Sequence, residues 1–133
     1  MKTLSFSGIL FLLVLIMVPG VNGQGTFPQG FNYQAIARNA TGTAIAATQI
    51  KVQIEILSDT VLNTVVWREE HTVTTNAYGL MNLVIGRGTR TGGSAATFDV
   101  INWSATQMFI GVSVKNPPTA SVFTPMGKAR LWS

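Results

Sequence analysis

Apolar and polar residues alternate with a period of two along most of the chain after residue 30, which is the signature of half-buried strands. Phe31, Tyr33, Ala35 and Ala37 fall on one face of a first predicted strand. Asn39-Ala40-Thr41-Gly42 then supplies turn chemistry, since Asn and Gly tolerate positive φ. Ile50, Val52, Ile54 and Ile56 alternate with Lys51, Gln53 and Glu55, giving the cleanest strand. Val65 to Val73 reads as a third, with Trp67 on the face of Val65 and Val73. Strict alternation places Glu69 and His71 on that same face. Asn76-Ala77-Tyr78-Gly79 turns the chain into Leu80–Ile85, so these two strands are expected to form an antiparallel hairpin.

Gly86 to Gly93 (GRGTRTGG) reads as a flexible loop, and Phe98 to Trp103 as a helical turn whose Phe98, Ile101 and Trp103 plug an edge of the core. Met108, Ile110, Val112 and Val114 alternate again until Asn116-Pro117-Pro118-Thr119 ends the run, because two prolines cannot join a ladder. No segment carries a helical apolar stripe longer than two turns. The expectation is an all-β fold: an antiparallel β-sandwich, immunoglobulin-like or prealbumin-like.

The N-terminus departs from this pattern. Met1-Lys2-Thr3 precedes the unbroken apolar run Ile9 to Val18, then Pro19-Gly20 and the small residues before Gly23. That is the layout of a secretory leader. The run makes about 15 Å of helix, half a bilayer core, too short for a permanent span. The expected division is therefore a signal peptide over 1–23 and one β-sandwich domain over 24–133, secreted or at the cell surface, with no membrane span after leader removal. The 133 residues leave no room for a second domain.

Composition narrows the chemistry. The absence of Cys excludes a disulfide scaffold, a thiolate zinc site and a Cys nucleophile, and the single His excludes any site with two imidazoles. The bases Arg38, Lys51, Arg68, Arg87, Arg90, Lys115, Lys128 and Arg130 are scattered, without the basic and aromatic interleaving of a nucleic-acid platform. His71 with Glu69 is the one acid–base pair within reach, but no G-x-S-x-G elbow presents a nucleophile, and strand neighbours of this kind are ordinary pairing partners. The spacing G-x-G-x-x-x-G at Gly86 misses the dinucleotide fingerprint by one residue and precedes no helix. Glu55, Asp59, Glu69 and Glu70 are too dispersed to predict a calcium loop. The reading assigns no catalytic, cofactor-binding or metal-ligating residue. Tyr78, Trp103 and Trp132 are the residues that a sugar-stacking platform would use.

Two blocks carry a resemblance. Phe31-Asn32-Tyr33-Gln34-Ala35-Ile36-Ala37-Arg38 with Asn39 to Gly42 resembles FNYQAVAR-(D/N)-x-x-G, and Glu69 to Gly86, which includes TNAYGLMNLVIG, resembles E-x-H-x-V-x-T-(N/D)-x-x-G-L-(F/Y)-x-L-x-I-G. Both are motifs of an N-terminal domain in secreted, Bacteroidota-type cell-surface proteins. The resemblance resumes at Phe98 to Trp103 and Met108 to Val114. It implies a module that precedes collagen-like or tail-fibre-like regions and ends in a strand like L-L-S-V-P-Y-A. Here Thr124-Pro125-Met126-Gly127 is followed by Lys128-Ala129-Arg130-Leu131-Trp132-Ser133 instead, so a sandwich lacking its last strand is expected. Asp59-Thr60-Val61 resembles the Asp-Ser/Thr-apolar triplet O-glycosylated in that bacterial group.

The expected function is a non-enzymatic secreted module with a structural or attachment role, partnered by other cell-surface protein regions or by glycans and not by nucleic acid. The alternatives are a small carbohydrate-binding module and, third, a secreted hydrolase.

Overall fold

The computed structural model describes residues 29–104 and 106–132; the leader expected over 1–23 lies outside the described residues. Seven strands follow in order: β1 (Phe31–Ile36), β2 (Gln49–Leu57), β3 (Val65–Thr74), β4 (Leu80–Ile85), β5 (Thr89–Gly92), β6 (Met108–Lys115) and β7 (Thr124–Leu131), with a 3-10 turn at Phe98–Val100 between β5 and β6. They build two antiparallel sheets, one ordered β1-β4 and the other β5-β3-β2-β6-β7. The molecule is an all-β sandwich, five strands facing two.

β2 lies at the centre of the larger sheet because it is the most regularly amphipathic segment. Ile50, Val52, Ile54 and Ile56 are fully buried, while Lys51, Gln53 and Glu55 on the other face are half-buried. β3 and β6 flank it, pairing Ile54 with Glu69 on one side and Val112 on the other. From the smaller sheet, Met81, Leu83 and Ile85 of β4 and Tyr33 and Ala35 of β1 close onto this face. Among the described residues no helix is long and apolar enough to cross a membrane.

Three expectations need correction. β3 and β4 do not pair as a hairpin. Both edges of β3 are occupied, by β2 and β5, so β4 crosses to the other sheet and pairs with β1. Asn76 shapes the crossing: its Oδ1 accepts the amides of Tyr78 and Leu80, and Gly79 takes φ +81. The run Gly86 to Gly93 is not a flexible loop throughout, because Thr89–Gly92 pairs with Arg68–Glu70 of β3 as an edge strand. Lastly, Thr124–Leu131 is a strand despite its Pro and Gly. Backbone bonds to β6 need no apolar side chains, and a bulge opposite Val112/Ser113 with Gly127 at φ +143 absorbs the irregularity. The helical turn stands as expected, with Phe98 and Ile101 buried and Trp103 packed against the core.

Truncating Ile54 to Ala should cost about 2–4 kcal/mol, the range for a large buried aliphatic. Gln53→Ala should stay within roughly 0.5 kcal/mol. Urea unfolding of the two variants checks this, and equal losses would refute the assignment of faces.

Candidate functional site

The residue types able to do chemistry converge at one place, on the inner face of β3. Alternation from Trp67 puts Glu69 and His71 between the sheets, and Glu69 is fully buried. A buried carboxylate is tolerated only when its oxygens are satisfied. Here Oε2 accepts Trp67 Nε1 at 2.8 Å and the Gly86 amide at 3.0 Å, while Oε1 accepts the same amide at 2.9 Å and lies 2.6 Å from His71 Nε2. Gly86 follows β4 directly, so the carboxylate joins the two sheets. Gly86 has φ +95, and a Cβ there would meet Phe98 at 2.7 Å, so the position requires glycine. Burial alone would raise the Glu69 pKa, but the hydrogen bonds from His71, Trp67 and Gly86, with the His71 charge, outweigh it and hold the carboxyl below its ordinary range. This arrangement holds a proton donor and an acceptor together with no space for a substrate at the carboxylate.

The other residues singled out from the sequence fall elsewhere. Arg90 folds back onto the carbonyls of Gly93 and Ala95 and over the Trp67 ring, so the glycine-rich segment forms no phosphate cradle. Glu55 pairs with Arg68 at 2.7 Å and Glu70 with Lys51 at 3.3 Å. Asp59 caps its loop by accepting the Leu62 amide at 2.6 Å. Among the described residues no group of three or more His, Asp or Glu side chains is placed to hold a metal ion. Asn39 and Asn102 turn their Oδ1 atoms onto the local backbone, accepting from the amides of Thr41 and Ser104 respectively.

The three aromatic residues of the sugar platform divide. Tyr78 is exposed on the turn that joins β3 to β4, at the pole where Ile36 pairs with Leu80. Trp103 and Trp132 lie at the opposite pole, where Phe31 pairs with Ile85, and they line a common cavity of about 490 Å³ with Phe31, Phe98, Met108 and Arg130. The Arg130 guanidinium lies 4.0 Å from the Trp132 ring centroid, and Gln107, with its amide oxygen turned inward, accepts Arg130 Nε at 3.2 Å. Phe31, Phe98 and Trp103 form its aromatic wall, with ring centroids 5.5 to 6.3 Å apart. Beyond it a second hollow of about 230 Å³ runs along Tyr33, Ile110, Val112, Met126 and Ala129. The sequence reading placed Met108, Ile110 and Val112 on one strand face and counted Arg130 among the bases, but it missed Gln107 and the hollows themselves, whose outer wall is β7, where Pro125 and Gly127 interrupt the alternation.

A family model described as a domain of unknown function (DUF8740) matches residues 32–126. Comparison with curated proteins and with solved structures gives no match.

The depressed Glu69 pKa fixes the sign of an acid response. The native group loses its proton more readily than the unfolded one, so it contributes stability above the ordinary value of 4.5, and this is lost as pH falls through the lower native value. Glu69→Gln should cost roughly 1–3 kcal/mol, the range for disrupting a buried hydrogen-bond partner. Its urea midpoint should also fall less on acidification below 4.5 than that of the native protein. Identical acid responses would assign the effect to another carboxylate.

Proposed function

The chain belongs to the DUF8740 family of domains of unknown function, and from its geometry we propose that it is a non-enzymatic, secreted β-sandwich module with a structural or attachment role at the cell surface. One observation carries this reading. The chain's one imidazole and its buried carboxylate are committed to each other and to the Gly86 amide that joins the sheets, whereas the apolar hollows along Phe31 and Tyr33 open to the surface. Open apolar concavities on a small domain are characteristic of contact surfaces. The leader pattern ahead of the domain supports export.

A second reading has its own support. Trp103 and Trp132 beside Arg130 and Gln107 combine ring faces with polar groups in one cavity, as a small glycan site does. It predicts glycan-array binding lost on Trp132→Ala and kept on Tyr78→Ala.

Two measurements test the attachment reading. The intact mass of the exported protein should correspond to a start near Gln24, and retention of Met1 would refute cleavage. Protease treatment of intact producing cells should remove the protein from the envelope fraction. A protein found wholly free in the medium defeats surface attachment, and turnover of an ester, peptide or glycoside substrate abolished by His71→Ala defeats the non-enzymatic reading.

A further inference from the structure

With five strands in one sheet and two in the other, part of the larger sheet's inner face has no strand above it among the described residues. This strip has the repeat of a β-strand and is exposed along its β7 side, while Met108, Ile110 and Val112 beneath it are buried. Its floor takes every second residue of β6, Met108, Ile110 and Val112, and its outer wall Leu131, Ala129 and Gly127 of β7, their register partners. The inner wall is β1, through Phe31 and Tyr33. No β4 residue lines either hollow, so the strip lies on the side of β1 away from β4, where β1 pairs with no strand among the described residues. Alternate amides and carbonyls of a strand point to each edge, so this edge offers a row of unpaired backbone groups.

We propose that the strip is an acceptor for an extended segment of a partner polypeptide, which adds to β1 as a further strand and seats alternate apolar side chains in the two hollows. The proposal rests on the attachment reading and names the chemistry of what is attached. Backbone pairing along β1 supplies affinity, and the hollows supply specificity by selecting side chains two residues apart. Charge selects further. Lys128 turns to the other face of the sheet, over Gly111 and onto the Asn63 side-chain oxygen, but Arg130 lines the first cavity and no Asp or Glu lines either hollow, so the fitting segment is apolar at alternate positions and acidic at the end that meets Arg130. A second copy of this domain fits poorly. Its β1 would arrive with its own β6 and β7 alongside, in the space that β6 and β7 of the first copy already occupy. A single extended segment meets no such obstruction.

The probe is a synthetic peptide of about nine residues, alternating valine and threonine with aspartate at both ends, long enough to pair along all of β1 at about 3.4 Å per residue. Bound to the full chain, it should slow amide hydrogen exchange within Phe31–Ile36. The same peptide with proline at every threonine position, unable to pair, should not bind. Ala129 is exposed on the wall of the strip, so Ala129→Trp should obstruct it without disturbing the core and weaken binding by about tenfold or more, the scale of a blocked interface pocket. Arg130→Glu should weaken the aspartate-flanked peptide and spare a lysine-flanked one. Binding without slowed exchange in β1, or binding equal in native protein and Ala129→Trp, would overturn the proposal. So would β1 protection that rises with protein concentration without peptide, which identifies a second copy as the occupant. Failed peptide binding with surface retention intact defeats this proposal alone, while loss of surface retention with peptide binding intact defeats only the attachment reading.

Discussion

The carboxylate of Glu69 is the constraint on which the arrangement of the two sheets depends. It is fully buried, yet it accepts from the Trp67 indole and the Gly86 amide and meets His71 at 2.6 Å. A charge at this depth is costly unless every partner is in place, so the cluster has one arrangement or none. Each partner fixes something larger. Trp67 is set edge-on to Phe98 with ring centroids 5.5 Å apart, and Phe98 in turn meets Trp103 and Phe31, so the orientation of one indole propagates through an aromatic plug across one pole of the sandwich. The Gly86 amide pins the end of β4 over β3, which places the smaller sheet against the larger.

In this cluster the acid–base pair of the sequence ties one sheet to the other. A Glu and a His on one strand face permit two readings, an acid–base pair or a structural pair, and the sequence alone does not show what lies opposite them. The amide that lies opposite them belongs to Gly86, 17 residues away. Periodicity placed the strands and their inward faces, down to Ile50, Val52, Ile54 and Ile56, because burial on one side of a pleat leaves a mark at every second residue. It did not reveal which strands are neighbours. Pairing of β4 with β1 rather than β3 follows from edges already occupied, a property of the whole sheet. Nor did it reveal β5 and β7, whose stability comes from backbone bonds that carry no side-chain signature.

The free edges of the two sheets differ in character. β5 is four residues long, and β7 carries Pro125, Lys128 and Arg130, with Gly127 bending its backbone; short length, proline and positive charge all discourage a strand from joining from outside. β1 has none of these protections. It is uncharged along its whole length and borders an apolar floor. The outer edge of β4 is uncharged too, but β4 lines neither hollow, so among the described residues only the β1 edge borders an apolar hollow, next to the aromatic plug that Glu69 holds in place.

The positions of β1 and β7 also set how the domain bears load. Phe31, the first residue of β1, and Leu131, the last of β7, line the same cavity, so the chain enters and leaves the fold at one pole. Tension applied through those two points acts across the strands instead of along them. β1 would then peel from β4, and β7 from β6, one backbone bond after another, a mode that yields at far lower force than shearing a whole ladder at once. A load through those two points thus strips the outer strands first and leaves β2 paired with β3 and β6.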